Sequence, residues 1–140
     1  MSRIPKRAGA IAILGILVAW PVARAGQSRT CRQAGKIVSF RLDVLPALES
    51  KCIACHFDSE TPPGLNFSLQ QAYRNLVGRT SIEVAGEDII KPGDPLHSYL
   101  ITKVTKKPPV GKRMPPYGAA LSSRELHLLT EWIAQGAQDN

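Results

Sequence analysis

Residues 52 to 56 read Cys-Ile-Ala-Cys-His. Two cysteines separated by two residues can each add a thiol to one vinyl group of a protoporphyrin, and a histidine beside the second is then placed under the iron. The run predicts one covalent haem c carried by Cys52 and Cys55, with His56 as the first axial ligand of iron.

The N-terminus supports that reading independently. Arg3, Lys6 and Arg7 precede an almost unbroken apolar run, Ala8 to Trp20, and Ala23-Arg24-Ala25 has the small-x-small pattern of a cleavage site. Residues 1–25 are expected to be a secretory signal peptide. The apolar run has 13 residues, against the roughly 20 of a spanning helix, so no permanent membrane span is expected once the signal is cut. Covalent haem attachment also belongs outside the cytoplasm, and the chain is expected to be periplasmic or secreted.

Cleavage leaves 115 residues, the size of one domain with a modest core. The formal charge of +7 shrinks as well. Four of the 18 basic residues lie in the signal, which leaves +3 against 11 acids. No stretch combines clustered Lys/Arg with interleaved aromatics, so nucleic acid is not expected as a partner. Lys103, Lys106, Lys107, Lys112 and Arg113 crowd one segment; it reads either as a solvated loop face or as a positive rim that steers an acidic redox partner.

The remainder reads as helices punctuated by Pro and Gly. Residues 26–39 are a polar lead-in. Phe40, Val44, Leu45 and Leu48 keep helical spacing into Cys52, with Pro46 near the front where its missing N–H costs least. Leu69, Ala72, Tyr73, Leu76 and Val77 mark a second helix closed by Gly78. Asp94 can cap a third, with Pro95 at its first position and Leu96, Tyr99, Leu100, Lys103 and Val104 along it. Residues 107–118 hold four prolines and two glycines and cannot be helical. Ser122 and Glu125 stand at capping-box spacing ahead of Leu126, Leu129, Trp132 and Ile133, in a last helix that ends near Gly136.

Met114 is the methionine that remains after the signal, and it lies in the one segment whose backbone must stay extended. A thioether can occupy the sixth position of haem iron opposite a histidine and favours the reduced state. A lone Met can also be a core gap-filler, although that role suits a helix face better than a place between Arg113 and two prolines. Met114 is therefore expected as the second axial iron ligand, held by Pro115 and Pro116.

From Phe40 to Ala137 the chain resembles the class I c-type cytochromes, and within them the planctomycete-type cytochrome c domains. The resemblance rests on Val44, Pro46 and Leu48 ahead of Cys52-Cys55-His56, Gly64-Leu65, Pro92-Gly93-Asp94-Pro95 with Ser98 and Leu100, Met114-Pro115-Pro116 with Gly118, and Leu121-Ser122, Glu125, Trp132-Ile133 and Gly136-Ala137. It implies an all-α fold, a small helical domain over residues 40–140 wrapped around one haem, with the first and last helices crossing and Trp132 and Ile133 packed between them. Phe57 departs from the pattern, standing where such domains often have Gly. Cys31 has no counterpart in it, and with the haem cysteines consumed it is either a free thiol or a link to a disulfide-bonded partner.

Other readings remain beside this one. His97 or His127 as sixth ligand would give a bis-histidine haem of lower potential. Cys52 and Cys55 as a dithiol pair would need a βαβ pattern that the sequence lacks, and zinc would need a second ligand pair. Asp58 and Glu60 are adjacent loop carboxylates without a catalytic setting. The expected function is an exported monohaem c-type cytochrome carrying single electrons between redox partner proteins, not an enzyme. The alternatives are a haem-bearing subunit or domain of a periplasmic oxidoreductase, or a haem-based ligand sensor.

Overall fold

The computed structural model describes residues 35–57 and 64–140. The signal segment, Cys31, most of the lead-in, Asp58 and Glu60 lie outside them. All the described residues belong to one compact unit, Ala34–Asn140.

The chain enters its first helix through a widened turn, Phe40–Val44. Ser39 caps it reciprocally: its hydroxyl accepts the Leu42 N–H at 3.2 Å, while its own N–H donates to the Asp43 carboxylate at 2.9 Å. Helix α1, Leu45–Cys52, follows directly with Pro46 in its first turn. Its apolar face, Leu45 and Leu48, is buried together with Phe40 and Val44, as the helical spacing requires.

Helix α2 is one short turn and a half, Ala72–Leu76. Leu69, expected on its buried side, is exposed. On either side of Gly78, whose φ is +65°, the chain forms isolated bridges, Val77 with Ile90 before it, then Thr80 with Asp88 and Asp88 with Ser98. Ile89 and Ile90 are driven into the core here.

The third helical segment divides in two. Pro95–His97 forms a single tight turn, capped by Asp94, which accepts the His97 N–H at 3.2 Å. Helix α3 then spans Tyr99–Thr105. The division leaves Leu96 87% exposed, while Tyr99, Leu100, Lys103 and Val104 face inward. Residues 107–118 are irregular throughout. Helix α4, Ser123–Ala134, carries the expected capping box, with Ser122 N–H donating to Glu125 and Glu125 N–H to Ser122 Oγ.

The core joins both ends of the unit. Trp132 is 1% exposed; its ring centroid lies 5.0 Å from that of Phe40 and 6.4 Å from that of Tyr73. Its indole N–H donates to the Gln138 carbonyl at 2.8 Å, and the Tyr73 hydroxyl to the Ala137 carbonyl at 2.9 Å. That seam fixes where α1 starts, and so where the Cys52 end of α1 points.

Candidate functional site

Past the end of α1 the backbone keeps turning, with Cys55 N–H and His56 N–H both donating to the Cys52 carbonyl at 3.1 and 3.0 Å. This compact turn brings Cys52, Cys55 and His56 to one wall of a cavity of about 420 Å³. His56 is steadied by its carbonyl, which accepts the Phe67 N–H at 2.8 Å, and by the Phe67 ring standing edge-on at 5.4 Å.

Met114 reaches the same cavity from the 107–118 segment, together with Pro115 and Pro116. Helix α3 supplies Tyr99, Leu100, Lys103 and Val104, and the bridged segment adds Ile89. The lining is predominantly apolar with a few convergent polar groups, the usual make-up of a cofactor site. His97 and His127 are elsewhere and exposed; His97 Nδ1 lies 2.8 Å from an Asp94 oxygen. Cys52, Cys55, the adjacent His56 and Met114 are thus gathered around one space, and the rival histidines are not.

Electrostatics sort the chemistry open to these groups. Burial, reinforced by the neighbouring Cys55, pushes the Cys52 thiol up to about 11. A reactive dithiol depends on an easily formed thiolate, to which Cys52 is poorly suited, and among the described residues no group of three or more His, Cys, Asp or Glu is placed to hold a metal ion. Burial holds His56 below the usual histidine range, with Glu83 a lesser influence in the other direction. That direction favours the neutral imidazole, the form that ligates a metal.

The residues fit a covalently held haem. His56 Nδ1 is buried and finds no hydrogen-bond partner among the described residues; native structures rarely leave such an atom orphaned. With it come two thiols at vinyl-addition spacing, a thioether in the same cavity and an apolar lining for a flat macrocycle.

One polar group inside the cavity runs against the sequence expectation. Lys103, read as part of the basic run, is buried on α3, and its ammonium pairs with Glu83. Tyr99 donates to the same carboxylate at 2.8 Å, and burial together with Glu83 pushes its phenol up to about 12. The helical spacing of Lys103 with Tyr99, Leu100 and Val104 carried the signal for its burial. Glu83 had none in its local pattern. The other four cations, Lys106, Lys107, Lys112 and Arg113, remain exposed and line an open recess of about 480 Å³.

Among the described residues no helix is long and apolar enough to cross a membrane. No protein-family model matches the chain. It is 29% identical over 126 residues to hydrazine synthase subunit alpha of Kuenenia stuttgartiensis, an alignment covering 74% of this chain and 16% of that protein. A solved structure of Kuenenia stuttgartiensis hydrazine synthase matches at 25% identity with a TM-score of 0.45, covering 71% of this chain and 16% of that one. The chain thus spans about a sixth of the length of its curated relative.

The sequence relative corrects one expectation. The chain was expected not to be an enzyme, yet the protein it matches is by name a subunit of a synthase. The physical reason is plain. A haem domain that only shuttles electrons and one built into a catalytic assembly need the same cysteines, axial ligands and apolar pocket, so no residue pattern within the domain separates them.

Proposed function

We propose that this chain is a haem-bearing part of an exported oxidoreductase, binding one haem c covalently in a small all-α, cytochrome c-like domain and passing single electrons to or from a catalytic partner. The observation that carries the reading is the convergence of Cys52, Cys55, His56 and Met114 on one apolar cavity. The similarity to an enzyme subunit supports placement within an oxidoreductase assembly rather than as a free shuttle. The pattern of residues 1–25 supports export.

In this reading Cys52 and Cys55 tether the group, and His56 and Met114 hold the iron axially. A haem so bound supplies a one-electron couple whose potential follows from its ligands and burial. The test is haem staining on a denaturing gel after secretion from a host with c-type haem maturation. A stained band at the mature mass should vanish completely in the Cys52→Ala/Cys55→Ala variant. Soluble exported protein without stain overturns the assignment.

Electrons would exchange over the rim beside Met114. Lys106, Lys107, Lys112 and Arg113 have no carboxylate partner among the described residues. Tyr117, 80% exposed, lies beneath Lys112, whose Nζ is 5.8 Å from the ring centroid. Unpaired cations around an exposed aromatic suit an acidic redox partner, because opposite-signed fields steer the encounter. With ferricyanide as a trivalent anionic probe, oxidation of the reduced protein should slow as salt rises. Lys106→Glu/Lys112→Glu should slow it several-fold at low ionic strength and flatten that slope. An unchanged slope would place the docking face elsewhere.

A further inference from the structure

Residues 107–118 carry Met114 without any helix or ladder to hold them. Among the described residues, the hydrogen bonds that tie this segment to the rest of the chain both end on Lys103. Its backbone carbonyl accepts the Met114 N–H at 2.8 Å, and its ammonium donates to the Val110 carbonyl at 3.0 Å. One residue therefore grips the segment at two points four positions apart, once through the main chain and once through the side chain.

The ammonium is itself aimed. Glu83 pairs with it, the Tyr99 hydroxyl fixes the same carboxylate oxygen, and Ser81 Oγ accepts the Glu83 N–H at 3.1 Å to hold that loop. The Lys103 side chain is 9% exposed, and a buried cation persists only where such partners replace its water. The segment is shaped to meet it: Gly111 has φ +68°, and a Cβ there would lie 3.3 Å from Lys103 Nζ.

We propose that Lys103, oriented by Glu83, is the positioning residue that holds Met114 at the sixth ligand place of the haem. The inference rests on the reading of Met114 as axial ligand. Without the ammonium the segment keeps one polar tether, and Met114 spends more time off the iron.

The experiment uses the haem-loaded full chain with three variants: Lys103→Leu, which keeps an apolar side chain and adds no possible iron ligand, Glu83→Gln and Met114→Ala. The readouts are the thioether-to-iron absorption band, the carbon monoxide affinity of the reduced form, and the potential. Losing one charge-assisted tether should raise carbon monoxide affinity in Lys103→Leu about tenfold or more. The same variant should weaken the band and lower the potential, with covalent haem retained. Glu83→Gln should shift all three the same way by less. If Met114→Ala loses the band while Lys103→Leu keeps the band, affinity and potential of the parent, the tether is wrong and the ligand reading stands. If Met114→Ala leaves the band unchanged, the ligand reading falls and the tether with it. Should Lys103→Leu fail to accumulate, Glu83→Gln decides, and parent-like values there overturn the inference.

Discussion

Replacing Met114 by alanine should abolish the thioether-to-iron band of the oxidised protein, open the reduced iron to carbon monoxide, and lower the reduction potential by roughly a hundred millivolts or more. The magnitude is a modest fraction of the ~0.8 V over which axial ligation moves haem potentials. The direction follows from the ligand: a thioether is soft and favours ferrous iron, whereas water or an empty site in its place does so less. Met114 shares the cavity with His56, while His97 is held at the surface by Asp94, so no histidine is positioned to take over. Visible spectra and a potentiometric titration of the haem-loaded variant check this. An unchanged spectrum would remove Met114 from the iron and reopen the bis-histidine alternative.

How much of this was legible beforehand depended on whether the deciding interaction was local. The haem motif, the capping box of Ser122 and Glu125, the Asp94 cap and the irregular 107–118 segment are set by residues within a turn of one another, and short-range chemistry decides them. The gathering of His56 with Met114 was legible through their residue types alone. The division of the third helix was harder. Asp94 and Pro95 start a turn, but the Ser98 hydroxyl accepts the Lys91 N–H at 2.9 Å and donates to the Asp94 carbonyl at 2.9 Å. That breaks the run and turns Leu96 outward. Leu69 misled for a related reason: its helical spacing is real, but α2 starts three residues later. Glu83 was out of reach, because its partners Tyr99 and Lys103 lie 16 and 20 residues away. The oxidoreductase-subunit reading stood in the sequence only as the alternative, since the residues of a haem domain do not distinguish it from a free carrier, and the likeness to a synthase subunit is what favours it.

Truncating Trp132 to alanine should cost about 3–5 kcal/mol of stability, the range for deleting a buried large aromatic. Against a typical total of about 5–15 kcal/mol that is a large share. Two effects add. The indole leaves a cavity between Phe40 and Tyr73, and the Gln138 carbonyl loses the N–H that satisfied it. Trp132→Phe separates them, retaining most of the aromatic packing and losing about 1 kcal/mol with the hydrogen bond. Urea unfolding of the haem-loaded protein measures both, and a fall in midpoint at constant slope marks a stability change alone. The haem spectrum below the transition should stay that of the parent, because Trp132 joins α4 to the Phe40 turn and is not among the cavity residues. A loss below about 1 kcal/mol for the alanine variant would mean that the covalent haem, more than this aromatic seam, holds the two ends of the domain together.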